Sequence, residues 1–242
     1  MKNISRKERE FLQREQLIID TAKDIMGQDG FNNLSMERIA AEIEYSKGTV
    51  YKHFNSKEEV ITAIGRCCMD NLLEMFERAS QYKGNNRERI AAIGVAHSLY
   101  AQLHPVELQN MQFISSQAVR EKVSHEIQQE VLIREQKITA KVTSIVKQAM
   151  QDGDIKEPHD CLPDAIVFGL WTMGYGSDLL HLSGIPFEKI GMCQPLDMMW
   201  LNSHKLLDSY HWHPLSSEFN IEELRQDILQ QCFADEFKLL QH

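Results

Sequence analysis

Residues 34–61 read LSMERIAAEIEYSKGTVYKHFNSKEEVI, and the spacing of serine starts and apolar positions within them decides the fold. Ser35 is a favoured N-cap and opens a helix running to about residue 43. A tight turn follows, after which Ser46 caps a second short helix to about His53. Ile39, Ala40 and Ile43 are spaced to pack on Val50 and Phe54, which leaves Lys47, Thr49, Lys52 and His53 facing outward. Ser56 with Glu59 three residues later forms a capping-box pattern and opens a long helix to about residue 81. Along it Val60, Ile64, Cys67, Leu72, Met75 and Ala79 recur at helical spacing.

Helical periodicity continues in both directions, with almost no alternating β pattern. Upstream, Phe11, Leu12, Ile18, Ile19, Ala22, Ile25 and Met26 form an amphipathic stripe over 8–28 that stops before Asp29-Gly30. Downstream, Lys83-Gly84-Asn85-Asn86 reads as a linker. Helices are then expected over 87–103, 105–119, 120–151, 162–183, 194–211 and 221–240, broken at Pro105, Gly153, Pro158, Gly184-Ile185-Pro186, Pro195 and Pro214. The fold class is all-α. The expected organisation is an N-terminal three-helix domain over 1–60, a linking helix to about 82, and a helical domain over 83–242.

Composition is that of an ordinary globular chain: 242 residues, 43% hydrophobic and 25% charged. The longest apolar run, 165–175, is too short for a membrane span, which needs roughly 20 residues. No apolar stretch follows the basic start, so a secretory signal is not expected and the cytoplasm is the expected compartment. Cys67, Cys68, Cys161, Cys193 and Cys232 show neither C-x-x-C nor metal-site spacing and read as plain thiols. Net charge is −9, but residues 1–57 hold ten Lys/Arg against nine Asp/Glu, so all the excess negative charge lies beyond them. A near-neutral head on an acidic body fits an N-terminal polyanion-binding segment.

Two short helices across a tight turn, the second basic on one side, have the geometry that lets a helix enter the DNA major groove. In 34–61, Ser35, Ile39-Ala40, Ser46, Gly48-Thr49-Val50-Tyr51, His53-Phe54 and Lys57-Glu58 stand at the spacings of the TetR family of transcriptional regulators, which this stretch resembles. The likeness covers roughly residues 12–62. It implies a helix-turn-helix domain followed by a ligand-binding and dimerisation domain. The partners it implies are double-stranded operator DNA, a small-molecule effector and a second copy of the chain. Neither a cofactor, a metal nor a membrane is expected.

Carried over by position, the resemblance makes Ser35 the cap of a helix end near a phosphate. Ser46 caps the recognition helix, and Gly48 permits its close approach. Lys47 and Thr49 become base-contacting candidates, the ammonium for guanine acceptors and the methyl for thymine. Tyr51, Lys52, His53 and Lys57 become phosphate anchors. One departure stands out: the family's turn usually reads Ala-Gly-Val, and here it is Ile43-Glu44-Tyr45. Glycine suits a positive φ, so Glu44 either costs about 1 kcal/mol or reshapes the turn. Lys2, Arg6, Lys7 and Arg9 form either a solvated terminus or an arm for the minor groove. Glu8 and Glu10 dilute their charge and favour the former.

In the second domain, 165–182 is apolar on several faces and is expected between layers or at a subunit interface, with 196–212 beside it. Phe113, Trp171, Met173 and Tyr175 are candidate walls for an apolar or aromatic effector, with His97 or Asp178 as polar handles. Aromatic and Met stripes at this spacing also read as plain core. The expected function is a ligand-released repressor acting as a homodimer on a pseudo-palindrome, with an activator of the same fold as the alternative. A metal-dependent phosphohydrolase rests on His159-Asp160, which lacks partners at helical spacing, and on His211-x-His213 beside Trp212, a weak metal signal that reads better as an interface or helix-end feature. G-x-S-x-G, H-E-x-x-H and a phosphate-binding glycine loop are all missing, so catalysis is not expected. A third class, an interaction protein whose motif no longer binds DNA, stays open because of Glu44 and the acidic body.

Overall fold

Serine and asparagine side chains start most of the helices in the computed structural model, which describes residues 5–155 and 163–241. Ser5, Ser35, Ser46 and Ser56 each accept a hydrogen bond from the backbone N–H three residues on, at 3.1 to 3.2 Å. Each removes one of the orphan donors of a helix start, a contribution of about 1 kcal/mol. Asn85 and Glu88 close a reciprocal capping box, and Asn220 accepts from both Glu222 and Glu223. The box predicted at Ser56 differs: Glu59 reaches past Ser56 and accepts from the Asn55 backbone and side-chain amides.

All elements among the described residues are helical, apart from an isolated bridge between Ile155 and Trp212. In order they are α1 (Arg6–Asp29), a 3-10 turn (Phe31–Asn33), α2 (Met36–Glu42), α3 (Lys47–Val50), α4 (Lys57–Ser80), α5 (Asn86–Leu103), α6 (Pro105–Ile114), α7 (Gln117–Arg120) and α8 (His125–Asp152). Then follow α9 (Pro163–His181), a 3-10 turn (Phe187–Ile190), α10 (Pro195–Ser209), α11 (Ile221–Cys232) and α12 (Ala234–Leu239).

Four expected helices are shorter or divided, the one expected over 120–151 opening only at His125. The stretch 105–119 breaks after Ile114, where the hydroxyls of Ser115 and Ser116 bond back to the Met111 and Phe113 carbonyls and compete with the helix ladder. The stretch 221–240 breaks at Phe233, whose backbone leaves the helical region and whose ring is fully buried beneath Arg78. Regular α-helix in the recognition segment ends at Val50, with turn bonds carrying the chain to Phe54.

The chain forms two compact units. The first takes the chain up to Met69 together with Val106–Arg134; the second takes Asp70–Pro105 and the chain from Glu135 onward. In the first, Ile18, Ala22 and Ile25 of α1, Ile39 of α2, Val50 and Phe54 around α3, and Ile61 and Ile64 of α4 are buried together in one core. Arg38 of α2 pairs with Asp29 at the end of α1. On α4, a Cβ at Gly65 would meet Ile114 at 2.5 Å, and buried Asn110 donates to the Ile61 carbonyl at 2.7 Å. A side chain at position 65 would have to push the end of Ile114 aside.

In the second unit α5 is buried nearly all round, as a central helix must be. Its Arg87 is fully buried, donating to Asp208 and to the His204 carbonyl, both at 2.8 Å. Burial pulls this guanidinium down to about 10 against the opposing pull of Asp208, so it stays charged. Helix α9 packs along α10, and at Gly169 a Cβ would come within 2.9 Å of Leu206.

Candidate nucleic-acid interface

Helix α2 ends in a Schellman motif, and that motif sets the turn of the helix-turn-helix. Tyr45 N–H bonds the Ala40 carbonyl at 2.9 Å and Glu44 N–H bonds the Ala41 carbonyl at 3.2 Å. The geometry requires a left-handed residue at position 44, and Glu44 adopts φ +55°. Of the two outcomes open from the sequence, the turn keeps its shape and Glu44 carries the strain. Ser46 then caps α3 through the Thr49 N–H, and the two hydroxyls lie 2.9 Å apart, which ties the Thr49 hydroxyl back onto the cap.

Ile39, Ala40, Val50 and Phe54 are buried together as expected from spacing, while Ile43 is half-buried as the α2 cap. Lys47, Gly48, Tyr51 and Lys52 are exposed, and Thr49 and Ser35 are half-buried. Lys47 is not idle: its Nζ lies 3.1 Å from the Glu37 carboxylate. Glu37 is held below the usual carboxylate range by its own backbone N–H and by Lys47. Exposed pairs of this kind are screened by water and contribute little, so an anionic partner can replace Glu37 easily. Lys57, the first residue of α4, lies 5.2 Å over the Phe31 ring.

His53 is placed differently from an open anchor. Its ring lies tilted against Phe11 of α1 with centroids 4.1 Å apart, and its Nδ1 is buried without a partner. Burial lowers its pKa, the opposite pulls of Glu15 and Arg14 being secondary. Neither the Phe11 contact nor the Glu37 pair carries a sequence signal, since both join residues of different helices. Of the basic N-terminal residues, Arg6 pairs with Glu10 at 2.8 Å and Lys2 lies outside the described residues.

The candidate effector residues fall into three places. His97 of α5 and Asp178 of α9 come together, Nε2 to Oδ2 at 3.1 Å, with the ring lying beside Gly174. Burial pushes the His97 pKa down, but the Asp178 charge and hydrogen bond outweigh it and leave the imidazole above its ordinary value. The far atoms of the pair, His97 Nδ1 and Asp178 Oδ1, are buried and unpartnered. Trp171 and Tyr175 stand instead on the open face of α9, and Met173 is half-buried. Phe113 belongs to the other unit, stacked on Phe31 at 4.1 Å. With Phe168 60% and Trp171 66% exposed, and Leu179 also open, α9 carries an apolar stripe at three- and four-residue spacing.

His159-Asp160 lies outside the described residues. Among the described residues no group of three His, Cys, Asp or Glu could hold a metal ion, and no helix is long and apolar enough to cross a membrane.

Residues 18–64 match the family model of bacterial regulatory proteins, tetR family. Over 183 residues, 71% of this chain and 90% of the relative, the chain is 25% identical to the fatty acid metabolism regulator protein of Bacillus subtilis. A transcriptional regulator of the TetR/AcrR family from Thermobifida fusca has the same fold, with a TM-score of 0.61 at 23% identity over 82% of this chain and 98% of that one. The regulator FadR from Bacillus subtilis, solved with stearoyl-CoA, superposes with a TM-score of 0.63 at 16% identity, covering 81% of this chain and 99% of that one. Residues 18–64 thus carry the sequence pattern of the tetR-family regulatory proteins, and the chain as a whole has the fold of TetR-type regulators.

Proposed function

We propose that this protein is a transcriptional repressor that binds a pseudo-palindromic operator as a two-fold homodimer in the cytoplasm and is released by an effector whose recognised part is apolar. The observation that carries it is the Ser46-capped α3, with Lys47, Gly48 and Lys52 exposed beside a Schellman turn. Residues 1–60 act as the DNA-binding domain and 83–242 as the effector-binding and dimerisation domain. Lys47 and Thr49 read base edges, the latter through its methyl group because its hydroxyl is engaged. Tyr51, Lys52, His53 and Lys57 hold phosphates and set the register.

One such short helix binds weakly, so two are needed, about 34–36 Å apart on one face of the duplex. The stripe Phe168, Trp171, Tyr175 and Leu179 on α9 supplies the dimer face, because open aromatic area of this kind is what an interface core buries. That use of Trp171 and Tyr175 fits their exposure better than a pocket wall does. His97 and Asp178 remain as polar handles, with one unpartnered buried atom each.

The fatty acid metabolism regulator and the stearoyl-CoA complex support long-chain acyl thioesters as the effector class. Release requires that the effector bind better to the conformer that does not fit the operator. The test is gel-shift titration of the protein on an operator fragment with long-chain acyl-CoA, free CoA and a short-chain acyl-CoA. Release by the long-chain thioester alone is expected. Equal effects of all three, or none from any, would remove this effector class.

A further inference from the structure

We propose that Phe11, in the second turn of α1, is a positioning residue for operator binding: its ring clamps His53 so that only Nε2, as an uncharged N–H, is offered to a phosphate oxygen. The inference rests on the DNA-binding function proposed above and adds how one contact is made. Phe11 is 42% exposed, so it is not core; what it covers is the imidazole, at 4.1 Å between centroids and 31° between planes. Beneath that cover Nδ1 is buried and has no partner. A protonated ring would bury an unpaired charged N–H there, which is far costlier than burying a lone pair. The ring is therefore neutral. Of its two tautomers, only the one with the proton on Nε2 avoids a buried orphan donor.

The charged groups acting on the ring are Glu15 and Arg14, opposite in sign and both on α1, so they offset each other and burial dominates. Lys52, adjacent in the chain, is exposed and supplies charge to the phosphate backbone by itself. A neutral donor releases no counterion. His53 thus fixes register without adding to the salt dependence wherever the ring is neutral.

The test uses the full chain as wild type, Phe11→Ala, Phe11→Leu and His53→Gln. In the free protein, NMR titration of the His53 ring, assigned by its loss in His53→Gln, should give a midpoint below the ordinary value of about 6.5. Phe11→Ala should raise it toward that value, and Phe11→Leu, which keeps an apolar cover, should stay near wild type. On operator DNA, Phe11→Ala should bind about 3- to 10-fold more weakly at pH 8, the loss of one hydrogen bond. It should recover toward pH 6 and there steepen the salt slope by up to about 0.9 as the freed ring gains charge. An unshifted His53 midpoint in Phe11→Ala overturns the proposal, as does an affinity loss equal at every pH and salt. If wild type selects no operator, the DNA-binding function fails, while the free-protein titration still decides the clamp.

Discussion

Replacing Glu44 separates backbone strain from charge at the turn before the recognition helix. Glu44 occupies φ +55° at the position where a Schellman motif favours glycine. A residue with a Cβ gives up about 1–2 kcal/mol in that conformation. Glycine relieves this but gains entropy in the unfolded chain worth about 0.4–1 kcal/mol. Glu44→Gly is therefore expected to stabilise the protein by about 0.5–1 kcal/mol, whereas Glu44→Gln, which keeps the Cβ, changes stability little. Both substitutions remove one negative charge from the exposed turn, so both should tighten operator binding at low salt by a similar factor. Urea unfolding of the full chain at one fixed concentration reads the first effect, and gel-shift titration at 50 mM and 200 mM salt reads the second. If Glu44→Gln stabilises as much as Glu44→Gly, the benefit came from charge and the strain argument is wrong. A Glu44→Gly protein no more stable than wild type refutes it as well.

Three further outcomes are expected. Lys52→Ala and Lys57→Ala should each weaken binding to all DNA sequences alike and flatten the salt slope by about 0.9; unchanged slopes would remove them from the phosphate contacts. His204 is buried with both ring nitrogens unpartnered, and burial with the nearby Arg87 charge lowers its pKa to about 4. The unfolded chain, with a histidine near 6.5, takes up that proton first, so about 3 kcal/mol of stability should be lost as pH falls from 6.5 to 4. In His204→Phe that acid limb should flatten; urea midpoints from pH 4 to 8 that still fall in parallel with wild type would contradict it. Finally, Trp171→Glu places a charge in the centre of the α9 stripe and should dissociate the dimer in sedimentation equilibrium, while an unchanged mass would move the interface elsewhere.

Legibility from sequence followed locality. The serine caps and the burial of Ile39 and Ala40 with Val50 and Phe54 depend on neighbours within about fifteen positions and are readable from residue type and spacing, while at Glu44 the sequence leaves strain and a reshaped turn both open. The breaks at Ser115-Ser116 and Phe233 are not readable in that way. The first is local but turns on a choice that residue type leaves open, whether a serine hydroxyl bonds back to a carbonyl three or four residues before it; the second needs a ring to find cover under Arg78, far away in sequence. At the candidate interface, exposure of Lys47 and Lys52 followed from the helical register, but the Phe11 cover over His53 and the Glu37 carboxylate beside Lys47 are products of packing. Likewise His97 and Asp178 could be named singly, whereas their meeting across α5 and α9 required the fold.

The most direct test is selection of the full-length protein on a library of random duplex DNA. Enrichment of a pseudo-palindrome is expected, with half-sites centred about 10 base pairs or a multiple apart, and lost on Lys47→Ala with Thr49→Ala. Recovery of no sequence, or of one without dyad symmetry, would contradict a paired helix reading adjacent turns of the groove.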